Sequence, residues 1–108
     1  MEFLVEFEVR VPDGTPASEV KVRTSAEASA AARLVDEGHL IRLWKPPAAP
    51  VETKALGLYR ADSEAQLAGL LGALPLHDWM RVTVTPLEPH PNDPLFQATS
   101  SAGARSRR

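Results

Sequence analysis

Glu27 is the residue whose type and position most strongly suggest chemistry. In the stretch from Pro16 to Glu37, Val20, Glu27 and Leu34 are spaced i, i+7, i+14, with Ala30 and Ala31 beside them. On a helix these positions fall on nearly one line, the stripe that packs against a core. A carboxylate in that stripe must face a pocket or hold a specific partner, because burying it alone is too costly. An apolar pocket raises a carboxyl pKa towards neutrality, which is what a general base needs to remove a proton beside a carbonyl. Two structural roles compete with catalysis. Thr24-x-x-Glu27 would be a capping box if the helix began late, and Glu27 could instead form a salt bridge, with Arg42 as one possible partner.

Arg42 is the candidate for holding a substrate carboxylate, since a guanidinium offers two parallel donors to such a group. That role requires the face it shares with Leu40 and Trp44 to look towards the helices; otherwise Arg42 makes a salt bridge. Trp44 is a candidate for stacking on substrate, with core or interface packing as the competing use. His90, just before Pro91, is placed to reach a pocket mouth. His39 and His77 fall at element ends and are expected to be exposed. The three histidines lack zinc-site spacing and no cysteine supplements them, so no metal site is expected. Lys21 and Arg23 read as solvated helix residues, and Arg105, Arg107 and Arg108 make a basic tail too short to bind nucleic acid.

The elements that must position these groups follow from patterning. Residues 3–11 alternate, with Phe3, Val5, Phe7, Val9 and Val11 on one face and Leu4, Glu6, Glu8 and Arg10 on the other, which predicts a half-buried strand. Pro12-Asp13-Gly14 ends it. Thr15 then reads as an N-cap and Pro16 as the first helical residue, and Gly38 closes the helix. His39 to Trp44 reads as a second strand, residues 46–50 as a Pro-rich loop, and Glu52 to Tyr59 as a third strand. Asp62 and Ser63 cap a second helix in which Leu67, Leu70, Leu71 and Leu74 form the buried stripe and Pro75 the stop. Met80 to Leu87 is the fourth strand.

The order is βαββαβ, an α+β ferredoxin-like sandwich with both helices on one face of a four-stranded antiparallel sheet. The other face carries Leu4 with Glu6, Glu8 and Arg10 and has no cover within the chain, so pairing into a dimeric α+β barrel is expected. A single domain is expected over 1–94, with 95–108 as a flexible tail.

The chain has 108 residues, is 44% hydrophobic and carries a net charge of −2, so it reads as one globular domain with no nucleic-acid partner. No apolar run approaches the ~20 residues of a membrane span. The alternating N-terminus has no basic segment of the kind that starts a signal peptide. A cytoplasmic location is the expectation.

Glu27 and Arg33, the run Gly38-His-Leu-Ile-Arg-Leu-Trp44, Leu74-Pro75-Leu76, Met80 and His90-Pro91 together resemble the muconolactone δ-isomerase family over roughly residues 1–94. The resemblance implies the same ferredoxin-like fold and dimers that assemble further, typically into a decamer. It implies an isomerase that moves a proton within muconolactone to give 3-oxoadipate enol-lactone in aromatic catabolism, with no cofactor or metal. Alternatives are another small unsaturated lactone or ketone as substrate, a cyclase of a biosynthetic pathway, or a non-catalytic barrel that binds a small ligand.

Overall fold

The computed structural model describes residues 1–47 and 53–95. The elements follow the order β1 (Glu2–Val9), α1 (Ala17–Asp36), β2 (Leu40–Trp44), β3 (Lys54–Arg60), α2 (Glu64–Gly72), a 3₁₀ turn (His77–Trp79) and β4 (Met80–Leu87). The four strands pair antiparallel in the order β2-β3-β1-β4, as the ferredoxin-like reading expects. Of the Pro-rich loop, residues 48–50 lie outside the described residues, as do Glu52 at the expected start of the third strand and the tail beyond Leu95.

The alternation of β1 sets the two sheet faces. Phe3, Val5 and Phe7 are buried and pair with Tyr59, Gly57 and Ala55 of β3 on one side and Pro86, Val84 and Val82 of β4 on the other. This face meets Leu34 of α1 and Leu67, Leu71 and Leu74 of α2 in one continuous core. The helix-two stripe is as expected, with Leu67 fully buried and Leu70 packed at its edge.

The helix ends are built locally. At the C-terminus of α1, Gly38 takes the left-handed conformation at φ 81°, its N–H bonds the Val35 carbonyl, and the His39 N–H bonds that of Leu34. These are the paired bonds of a Schellman stop. At the N-terminus the cap is Pro16 rather than Thr15; the Thr15 hydroxyl instead donates to the Pro12 carbonyl at 2.7 Å, which closes the preceding turn. On α2 the Ser63 hydroxyl accepts from the Gln66 N–H at 3.0 Å. The Gln66 side chain reaches back past Ser63, accepting from the Asp62 N–H at 2.6 Å.

One irregularity redirects side chains. Leu40 pairs with Tyr59 but Arg42 pairs with Leu58, so β2 carries a bulge at Ile41. An extra residue in one strand reverses the faces beyond it. Leu40 and Leu43 therefore lie on the helix side, while Arg42 and Trp44 lie with Leu58, Leu56, Leu4 and Glu6 on the outer face.

Candidate active site

A cavity of about 280 Å³ opens between α1, the helix face of the sheet and the turn after α2. Phe7, Leu43, Leu74, Leu76 and Met80 supply much of its apolar wall, and Glu27 and Tyr59 also line it. Apolar walls with a few convergent polar groups are the usual make-up of a small-molecule site.

Glu27 enters this cavity from α1, half-buried, on the stripe it shares with Val20 and Leu34. Its Oε1 accepts the Leu76 N–H at 3.0 Å. The turn makes that donor available. The N–H groups of Leu74, His77 and Trp79 bond to local carbonyls, Pro75 has none, and that of Leu76 points instead to α1. Loss of solvent pushes the Glu27 pKa above its ordinary 4.5, and the Leu76 hydrogen bond opposes part of this rise.

Neither structural role considered for Glu27 matches this geometry. The helix starts seven residues before Thr24, which is therefore interior, so no capping box forms there. Arg42 is on the opposite sheet face, and among the described residues no ion pair involves Glu27.

Arg23, one turn before Glu27, is not a solvated residue. Its guanidinium lies 4.5 Å from the centroid of the buried Trp79 ring, donates to the Pro75 carbonyl at 3.4 Å, and stands 3.4 Å from Glu19 and 3.9 Å from Asp78. Arg23 and Glu27 together tie α1 to the 75–79 turn, one through the ring and a carbonyl, the other through an N–H.

Tyr59 and Lys54 are further titratable groups at the cavity, Tyr59 the more deeply buried. Tyr59 is only 3% exposed. Burial, and secondly the charge of Glu27, push its phenol up to about 12, so it stays protonated throughout the neutral range. Sequence reasoning passed over Tyr59 and Arg23. Signals for both exist: Ala55, Gly57 and Tyr59 alternate on the core face of β3, and Arg23 precedes Glu27 by one helical turn.

The other expected site residues lie elsewhere. Arg42 stacks on Trp44 at 5.1 Å on the outer sheet face. Trp44 is 41% exposed there. His90 is exposed beyond β4, its Nδ1 accepting from the Asn92 N–H at 2.9 Å, and lines a separate groove with Met1 and Glu88. Within one chain none of the three reaches the Glu27 cavity. Among the described residues no three His, Asp or Glu side chains cluster as a cation site, and no helix is long and apolar enough to cross a membrane.

The family model of muconolactone delta-isomerase matches residues 1–93. The chain belongs to the muconolactone delta-isomerase family. With that family it joins the intramolecular isomerases. It is 34% identical over 95 residues to muconolactone delta-isomerase 1 of Acinetobacter lwoffii, covering 85% of this chain and 93% of that protein. It is 30% identical over 92 residues to the muconolactone delta-isomerase of Cupriavidus pinatubonensis, with 85% and 97% covered. The crystal structure of a muconolactone isomerase superposes with a TM-score of 0.75 at 27% identity, covering 85% of this chain and 93% of the other. A 5-chloro-2-hydroxyhydroquinone dehydrochlorinase of Burkholderia phenoliruptrix, at 17% identity and a TM-score of 0.58, shares the fold.

Proposed function

We propose that this member of the muconolactone delta-isomerase family moves a proton within a small unsaturated lactone, muconolactone or a close relative, without cofactor or metal, and that Glu27 is the base. The observation that carries this reading is a carboxylate of raised pKa on the wall of an apolar cavity, hydrogen-bonded by a backbone N–H. Such a group can take the γ-proton of an α,β-unsaturated lactone, from the ring carbon that carries the ester oxygen, and return it to the carbon beside the carbonyl. The electrons pass through a dienolate, and no atom is gained or lost.

Incubation of EDTA-dialysed protein with muconolactone tests this directly. The expected product is the enol-lactone. The base must be ionised to act, so kcat/KM should rise with pH along a limb whose midpoint lies above 4.5, in the direction that burial moves Glu27. Absence of turnover, or activity restored only by added metal, would refute the reading.

We also place subunit pairing on the outer sheet face. Leu4, Leu56 and Leu58 lie there half-buried beside the exposed Trp44, an apolar stripe that neither helix covers. Light scattering at micromolar concentration should give a dimer or a multiple of it, and a monomer would count against this assignment.

A further inference from the structure

A base alone does not complete the proton shift proposed above, because negative charge collects on the lactone carbonyl oxygen as the dienolate forms. We infer that the Tyr59 hydroxyl donates the hydrogen bond that stabilises this oxygen, and that Gly57 is the residue that positions the Tyr59 ring to do so. The inference rests on the isomerase reading and adds the second catalytic group.

Three observations carry it. Tyr59 lines the same cavity as Glu27. Among the described residues no hydrogen bond engages its hydroxyl, and no fully buried polar side-chain atom is left without a partner, so the hydroxyl is not sealed inside the core and is free to bond a molecule in the cavity that Tyr59 lines. The third concerns how the ring lies. A Cβ built on Gly57 would stand 2.5 Å from Tyr59 Cε1 and 3.1 Å from its Cδ1. The ring therefore leans along β3 over the bare Gly57 backbone instead of standing upright beside Phe3, its partner in the register. This leaning brings it to 6.0 Å from the Phe7 ring, at 59° between planes, on the side where Phe7 and Leu43 wall the cavity. Any larger residue at 57 would push the ring off this course.

The division of labour follows from charge. Glu27 takes the proton from carbon and later returns it. The phenol keeps its own proton throughout and offers a hydrogen bond that strengthens as the carbonyl oxygen gains charge. Its high pKa suits it to remain a donor over the whole working range.

Tyr59→Phe keeps the ring and removes the hydroxyl alone. The expected result is a fall in kcat of about 10²–10³, the usual loss when one such donor is removed, with KM changed less than about threefold. The pH limb assigned to Glu27 should survive. Gly57→Ala should lower kcat as well, and the double variant Gly57→Ala/Tyr59→Phe should lose little beyond Tyr59→Phe, because both act through one hydroxyl. A Tyr59→Phe protein that turns over within threefold of the parent overturns the inference, and fully additive losses in the double variant remove the role given to Gly57. If the parent converts muconolactone and Glu27→Gln does not, a fully active Tyr59→Phe defeats this inference alone. If the parent fails to convert it, both readings fall.

Discussion

Replacing Glu27 by glutamine is expected to lower turnover of the lactone by about 10²–10⁴ while leaving the fold intact. The range is the usual contribution of a positioned acid–base group. Glutamine keeps the shape and an oxygen able to accept the Leu76 N–H, which now stands 3.0 Å from Glu27, but it cannot take a proton from carbon. Stability should hold or rise, because a neutral amide ends the desolvation cost of a half-buried carboxylate. The pH dependence has a definite sign. The native pKa of Glu27 is raised, so the folded state holds this proton more tightly than the unfolded chain does. The stabilisation linked to that proton is complete below about pH 4.5 and is lost as pH climbs through the native pKa. Urea titrations should therefore show the glutamine variant gaining on the parent as pH rises from 4.5 towards neutrality. Near-normal turnover, or a lower stability at neutral pH with activity retained, would assign Glu27 to structure.

Phe3→Ala is expected to cost about 3–5 kcal/mol, the range for truncating a buried aromatic. Phe3 is fully buried in the central strand, between Tyr59 of β3 and Pro86 of β4, within the one core that joins the sheet to both helices. Two-state domains of this kind are stable by only about 5–15 kcal/mol, so the variant should be partly unfolded or close to it at 37 °C. Denaturant midpoints measure the loss, and a change below about 1 kcal/mol would contradict the central position of Phe3.

The fold was legible where periodicity was unbroken. The alternation from Phe3 to Val9, the i, i+3, i+4, i+7 leucines of α2 and the stop at Gly38 each point to one structure, and local chemistry agrees with the global packing at every one of them. Glu27 was legible for the same reason, as the one charged residue on an otherwise apolar line. Arg42 was not, because a bulge leaves no mark in an alternating pattern: the rule that puts Leu40, Arg42 and Trp44 on one face holds only while pairing is regular, and here it shifts at Ile41. Arg23 was hidden because an arginine close to Lys21 and Glu19 in the chain reads as solvated until the fold delivers Trp79 to it. Tyr59 was hidden because a buried phenol in a strand is ordinary; only the close approach of its ring to the bare Gly57 backbone reveals which way it lies.

The bond between Glu27 and Leu76 joins groups 49 positions apart in the chain, and the bond between Arg23 and Pro75 spans 52. The first helix formed alone would expose its carboxylate to water, with an ordinary pKa and no walled cavity around it. Closing so long a loop carries an entropic cost that local structure cannot offset, so these contacts form only when α2 and its turn have docked on the sheet. The walled carboxylate is thus a late property of the folding chain, and the proton transfer proposed for Glu27 would belong to finished molecules only.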